Sequence, residues 1–154
     1  RGVLPGPIYK RIKNGEKITL PNGDVINGAD FLGPRKPGRK IAIVMDNKNS
    51  EGVVDLAYGA DVMIHESSFE AGLRKVAEKK GHCTSKMAGE TAREAGVKQL
   101  VLTHFSNRYA LLNSVPGLPG VDLLVDEAME AFRSDNVVAA IDFMSIPITR
   151  ASSD

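Results

Sequence analysis

Three short apolar runs, each closing on a residue able to bind a metal or carry a proton, set the terms for this chain. Ile41-Ala42-Ile43-Val44-Met45 runs into Asp46, Val62-Met63-Ile64 runs into His65 and Glu66, and Leu100-Val101-Leu102-Thr103 runs into His104. Runs this short, bounded by polar residues, fit strands buried on both faces, as in a parallel sheet. Helical stretches lie between them. Ser50 predicts a capped helix through residues 51–58, and two more helices are expected near residues 69–79 and 85–95. The second of these carries Met87, Ala88, Thr91, Ala92 and Ala95 on one face, with Gly96 as its stop. Residues 121–132 are amphipathic, with Leu124, Val125, Ala128 and Phe132 at helical spacing. Residues 136–141 and 146–149 read as further strands. Alternation of this kind predicts a layered α/β domain.

Ahead of that core, residues 1–40 are rich in Gly and Pro and read as loop plus one hairpin. Lys17-Ile18-Thr19-Leu20 and Asp24-Val25-Ile26 flank Pro21-Asn22-Gly23, and Asn-Gly is a strong tight-turn signal. A second loop, residues 33–40, leads into the first apolar run. The chain contains no internal repeats or low-complexity tracts, and no convincing domain boundary divides it. At 154 residues the chain can bury one core, and 42% hydrophobic with 25% charged residues excludes a disordered polymer. No apolar run approaches the roughly 18–20 residues that span a bilayer, so no membrane role is expected. The single cysteine, Cys83, excludes an intramolecular disulfide and fits a reducing, intracellular compartment. The sequence starts at Arg1 rather than Met, which leads us to expect a fragment or processed product.

Net charge is only +1, yet residues 1–40 carry +6 and the remainder −5. A basic lobe beside an acidic one is compatible with a polyanionic partner at one end, and equally with a solvated surface. The chemistry is better localised. In open α/β sheets, ligands and catalytic groups collect at the C-terminal ends of strands. Asp46, His65, Glu66 and His104 fall there, and His82 lies in Gly81-His82-Cys83-Thr84 just before a helix. Oxygen and nitrogen donors suit zinc, and no clustered thiolates suggest a structural cysteine site. Singly, Asp46 can be a turn residue and His104 a satisfied core histidine. Together they describe a hydrolytic or metal-binding α/β domain.

Three segments carry more than that. Asp61-Val62-Met63-Ile64-His65-Glu66-Ser67-Ser68-Phe69, Gly81-His82-Cys83-Thr84-Ser85-Lys86-Met87-Ala88, and Leu100-Val101-Leu102-Thr103-His104-Phe105-Ser106-Asn107-Arg108-Tyr109 resemble the His-Glu-Ala-Thr, His-Ser-Thr and Thr-His-Phe-Ser-x-Arg-Tyr motifs of the tRNase Z (ribonuclease Z) family. The order and spacing fit, and the resemblance covers roughly residues 5–110. It implies the C-terminal half of the four-layer αββα metallo-β-lactamase fold. It also implies a zinc-dependent endoribonuclease that removes 3′ trailers from precursor tRNA and works as a homodimer. By that resemblance, Asp46 bridges two zinc ions and His104 is a terminal ligand of one. His82 is the general acid that protonates the departing 3′ oxygen, with Glu66 orienting it and stabilising its protonated form. Imidazole suits that task because it titrates, when free, at about 6.5. Ser106 and Arg108 become phosphate- or loop-positioning groups, and His65 a buttress.

The pattern departs from the family in two places. Gly-Asp-Thr reads Met45-Asp46-Asn47, and His-Ser-Thr reads His82-Cys83-Thr84. The family's His-x-His-x-Asp-His motif, which supplies most zinc ligands, is not among these residues. Asp46 and His104 alone cannot hold two zinc ions, so the polypeptide by itself is expected to be inactive. Two other readings remain: a non-catalytic partner half or RNA-binding subunit, and another hydrolase of the same fold acting on small esters.

Overall fold

In a computed structural model, residues 6–34, 38–110 and 116–149 are described. Of the basic residues counted above, Arg1, Arg35 and Lys36 lie outside them, as does the centre of the loop at residues 33–40. The chain divides into two compact units, Arg1–Gly38 and Arg39–Asp154. A boundary therefore exists where the change of pattern near residue 40 had suggested only a leading segment.

The first unit holds the expected hairpin, β1 (Lys17–Thr19) antiparallel to β2 (Val25–Asn27), with Gly23 at φ 87° in the turn. It also contains a helix that the loop reading missed, α1 (Pro7–Lys13). Pro7 opens that helix, where its missing N–H has no intrahelical partner to lose. The proline read as a loop marker is a helix start.

The second unit is a four-stranded, wholly parallel sheet in chain order: β3 (Ile41–Val44), β4 (Val62–Glu66), β5 (Leu100–Thr103) and β6 (Val137–Ala139). Between them run α2 (Val53–Ala57), α3 (Arg74–Lys80), α4 (Ser85–Glu94) and α5 (Val121–Phe132). The core gathers Ala42, Val44, Met63, Leu100 and Leu102 from one sheet face with Ala57 of α2, Ala88 and Ala92 of α4, and Ala128 and Phe132 of α5. β5 is buried throughout its apolar run, as a central parallel strand should be. β3 is not. It lies at the edge, and Ile41 and Ile43 on its other face are 50% and 63% exposed. The apolar run thus belongs to a strand buried on one face only, with an uncovered apolar stripe on the other.

Two further expectations need correcting. Ser50 does not cap α2 through its side chain, because the helix starts later, behind Gly52 in a left-handed conformation. Residues 146–149 form no strand; instead the Ile148 carbonyl accepts a hydrogen bond of 2.7 Å from the Arg39 guanidinium. By contrast α4 starts as expected, with Thr84 Oγ1 accepting from the Met87 N–H at 3.2 Å.

α4 and α5 pack closely because Gly89 faces α5. A Cβ there would stand 2.5 Å from the Ala128 carbonyl oxygen and 2.9 Å from the Ala131 Cβ. In an exposed helix interior, Gly→Ala stabilises by roughly 0.5–1 kcal/mol. Here the clash is with backbone, which cannot swing aside, and overpacking costs about 1–3 kcal/mol. Gly89→Ala is therefore expected to lower the melting temperature, a sign opposite to propensity, and thermal denaturation measures it.

Candidate active site

The parallel register brings the chain's chemistry to one edge. Val44 lies beside His65 and Glu66 beside Thr103, so the residues that follow β3 and β5 leave the sheet next to the end of β4. Asp46 and His104 both turn there in left-handed backbone, at φ 41° and 58°. Such conformations are uncommon outside glycine, with Asp and His among the residues that visit them most often. His82 arrives from the loop between α3 and α4. One potential donor atom from each of Asp46, His82 and His104 lies within 4.8 Å of the others. His104 Nε2 is 3.6 Å from Asp46 Oδ1, and the His82 and His104 ring centroids are 5.2 Å apart.

Glu66 lies beneath this cluster with no exposure at all. A buried carboxylate needs donors, and it has three. Oε2 accepts from His82 Nδ1 at 3.0 Å and from Ser68 Oγ at 2.8 Å, while Oε1 accepts from the Asn47 N–H. These bonds assign tautomers. With its Nδ1–H directed at Glu66, His82 keeps Nε2 for chemistry. His104 Nδ1 lies 2.9 Å from Ser68 Oγ, and donation there leaves its Nε2 lone pair facing Asp46. A histidine ligand commonly has its other ring nitrogen anchored in this way.

The remaining sequence expectations separate. His65 stands below the cluster, not in it. Its Nδ1 is 2.6 Å from the Glu66 carbonyl oxygen, and burial holds its pKa below the usual histidine value, keeping it neutral. Ser106 shapes the turn after His104: its carbonyl accepts from the Tyr109 N–H at 3.1 Å, and its Oγ faces the Arg108 N–H at 3.5 Å. Arg108 is exposed, its guanidinium 5.6 Å from the centroid of the Phe69 ring, whose other contacts include His82 at 6.3 Å between centroids. Neither Ser106 nor Arg108 touches Asp46, Glu66, His82 or His104 through a polar contact among the described residues.

Both departures from the family pattern find local partners. The Cys83 Sγ donates to the Asn47 carbonyl, so the thiol joins the His82 loop to the Asp46 turn; burial pushes its pKa up to about 12, leaving it a donor and no nucleophile. Asn47 serves Glu66 through its backbone N–H, and its side-chain oxygen accepts from the Asn49 N–H at 3.1 Å. Its amide nitrogen is buried without a partner among the described residues. Ser68, which the sequence reading quoted without giving it a task, joins the site through its Oγ, which bonds Glu66 Oε2 and His104. Its position two residues after Glu66 was the available signal.

The donors fit zinc. One carboxylate and two imidazole nitrogens match its preferences, and the rings are oriented by outer partners. Three such residues supply one partial coordination shell and no more.

No family model matches the chain. Individual proteins do. The chain is 48% identical over 149 residues to ribonuclease Z of Bacillus licheniformis, a match covering 97% of this chain and 46% of that protein. It is 45% identical over 148 residues to ribonuclease Z of Prochlorococcus marinus strain MIT 9313, covering 96% and 44%. Among solved structures, human tRNase Z, short form, aligns with a TM-score of 0.52 at 30% identity, covering 81% of this chain and 37% of that one. The metallo-β-lactamase fold protein YhfI of Bacillus subtilis aligns with a TM-score of 0.56 at 26% identity, covering 67% and 38%. Over nearly its whole length the chain is therefore similar to ribonuclease Z proteins and shares the metallo-β-lactamase fold of its solved neighbours, and it spans about half the length of the curated relatives it matches.

Proposed function

We propose that this chain is the metal-bridging and proton-donating half of a zinc-dependent endoribonuclease that removes 3′ trailers from precursor tRNA. The observation that carries the reading is the convergence of Asp46, His82 and His104 over a buried, fully hydrogen-bonded Glu66. Asp46 and His104 would hold metal, with further ligands supplied from outside these residues. Zinc bound there supplies Lewis-acid polarisation of the phosphodiester and an activated water. The chain's own part is proton transfer and orientation. His82, fixed through Nδ1, presents Nε2 toward the space shared with Asp46 and His104, where it gives its proton to the 3′ oxygen as the P–O bond breaks. A tRNA with a 3′-hydroxyl and a trailer with a 5′-phosphate result. Arg108 is close enough to the His82 loop to meet the backbone of the RNA, and Ser106 sets the turn that presents it. Homodimerisation and an intracellular site of action belong to the same reading. Among the described residues no helix is long and apolar enough to cross a membrane.

The test uses a chimera in which this chain replaces the matching 149 residues of the Bacillus licheniformis relative. The chimera is expected to cut a precursor tRNA at the trailer junction, to stop when zinc is chelated, and to recover on zinc addition. Asp46→Ala and His104→Ala are each expected to weaken zinc binding by at least about a hundredfold, since loss of outer-shell partners alone costs 10–100-fold. A folded, zinc-loaded chimera that leaves precursor tRNA intact would favour the non-catalytic half. Turnover of a small ester or phosphodiester indifferent to competing tRNA would favour another hydrolase of this fold.

A further inference from the structure

Neither motif nor spacing singles out Glu127, yet it closes the frame on which the cluster stands. Besides the Asp46 turn after β3, the site is built from three segments: residues 67–71 after β4, residues 82–85 leading into α4, and residues 104–109 after β5. The first two meet directly, with Phe69 and Thr84 forming a parallel bridge and the Ser85 N–H donating to the Phe69 carbonyl at 2.9 Å. One carboxylate oxygen then fastens them together. Glu127 Oε2 accepts from the Ala71 N–H at 2.8 Å and from the Ser85 hydroxyl, which is fully buried. Beside it, the Tyr109 hydroxyl of the third loop accepts from the Glu70 N–H at 2.9 Å. Glu127 can reach because it stands on α5, half-buried one residue before Ala128, and Gly89 lets α5 approach α4. α5 thus contributes to the site without touching it.

We propose that Glu127 is a positioning residue for His82. Its carboxylate locks the loop that carries His82 to the loop that carries Ser68, so that the His82–Glu66 bond and the distance from His82 to Asp46 and His104 are set together. The inference rests on the reading of His82 as proton donor. A displacement of about 1 Å at a reacting group can cost 10²-fold in rate, and release of one loop from the other permits such a shift.

The experiment compares Glu127→Ala, Glu127→Gln, Ser85→Ala and His82→Ala in the zinc-loaded chimera, reading kcat, KM and zinc content on precursor tRNA. Glutamine keeps an oxygen where Oε2 stands and can turn its amide toward the cleft that Lys86, Arg93 and Glu130 line. Glu127→Ala is expected to lower kcat by roughly 10–100-fold at unchanged KM and zinc content, while Glu127→Gln stays within about threefold of the parent. In a His82→Ala background, Glu127→Ala is expected to change kcat less than about twofold, because both act through one group. Should Glu127→Ala fail to fold, Ser85→Ala removes one arm of the lock and is expected to cost about three- to tenfold in kcat. Parental kcat in whichever of these two variants folds, or a full multiplicative loss in the double variant, overturns the proposal. Parental activity of His82→Ala itself would instead overturn the assignment beneath it.

Discussion

Glu66→Ala in the chimera is expected to lose roughly 10²–10⁴-fold in kcat, the span that positioned proton transfer contributes, and to melt at a lower temperature. Both effects follow from one fact. A carboxylate with no exposure collects the Asn47 N–H, the Ser68 hydroxyl and His82 Nδ1. Alanine leaves those donors facing a void, and each buried donor stripped of its partner costs about 1–3 kcal/mol. Glu66→Gln separates stability from catalysis. The amide fills the same volume but brings an NH₂ group against either the Asn47 N–H or the pair formed by Ser68 and His82. One of those contacts must break. If it is the His82 bond, the ring loses its orientation while the fold persists, and kcat falls with little change in melting temperature. If it is the Asn47 bond, the Asp46 turn loosens and zinc affinity falls as well. Measured kcat, zinc affinity and melting temperature therefore tell which side of Glu66 carries the activity. Parental values of all three in Glu66→Gln would remove Glu66 from the mechanism.

Much of this arrangement is legible in the sequence. The strand ends were readable because apolar runs such as Leu100–Thr103 end abruptly on histidine or acid, and a short continuous apolar run suits a central parallel strand. Residues 121–132 were readable as a helix because Leu124, Ala128 and Phe132 keep helical period. α5 indeed spans Val121–Phe132. What a linear pattern cannot carry is exposure set by sheet position. Ile41 and Ile43 look as buried as Leu100 and Leu102, and only the place of β3 at the edge distinguishes them. Pro7 marks either a loop or a first helical turn, and the choice rests on residues downstream. At the site, Asp46, Glu66, His82 and His104 announced themselves as ionisable residues at strand ends, or, for His82, in the loop before a helix. Ser68 and Glu127 did not. A serine among serines and a glutamate on an amphipathic helix acquire a task only when folding brings donors to them. Ser106 and Arg108, which motif resemblance drew toward the chemistry, make no polar contact with the cluster among the described residues; Ser106 bonds within its own turn and Arg108 lies against the Phe69 ring.

His82 poses the sharpest choice, because one of its ring nitrogens lies within 4.8 Å of donor atoms of Asp46 and His104, close enough to join a metal's shell as well as to donate a proton. The two roles make opposite demands. A ligand must offer a lone pair on Nε2 at all times, whereas a proton donor must carry hydrogen there when the leaving group departs. The Nδ1 bond to Glu66 is compatible with both, so geometry alone does not choose; the loop does. His82 is 24% exposed and reaches the cluster from the segment before α4, while Asp46 and His104 follow β3 and β5, on either side of β4, in left-handed turns. On that ground His82→Ala in the chimera is expected to retain its zinc while losing roughly 10²–10⁴-fold in kcat on an ordinary phosphodiester. The decisive substrate replaces the bridging 3′ oxygen at the trailer junction with sulfur, since a thiolate leaves without a proton. On that linkage the loss in His82→Ala should shrink to under about tenfold, and the parent should gain little from its acid. Zinc lost from His82→Ala in step with activity, together with an undiminished defect on the sulfur linkage, would make His82 a ligand and leave the departing oxygen to find its proton elsewhere.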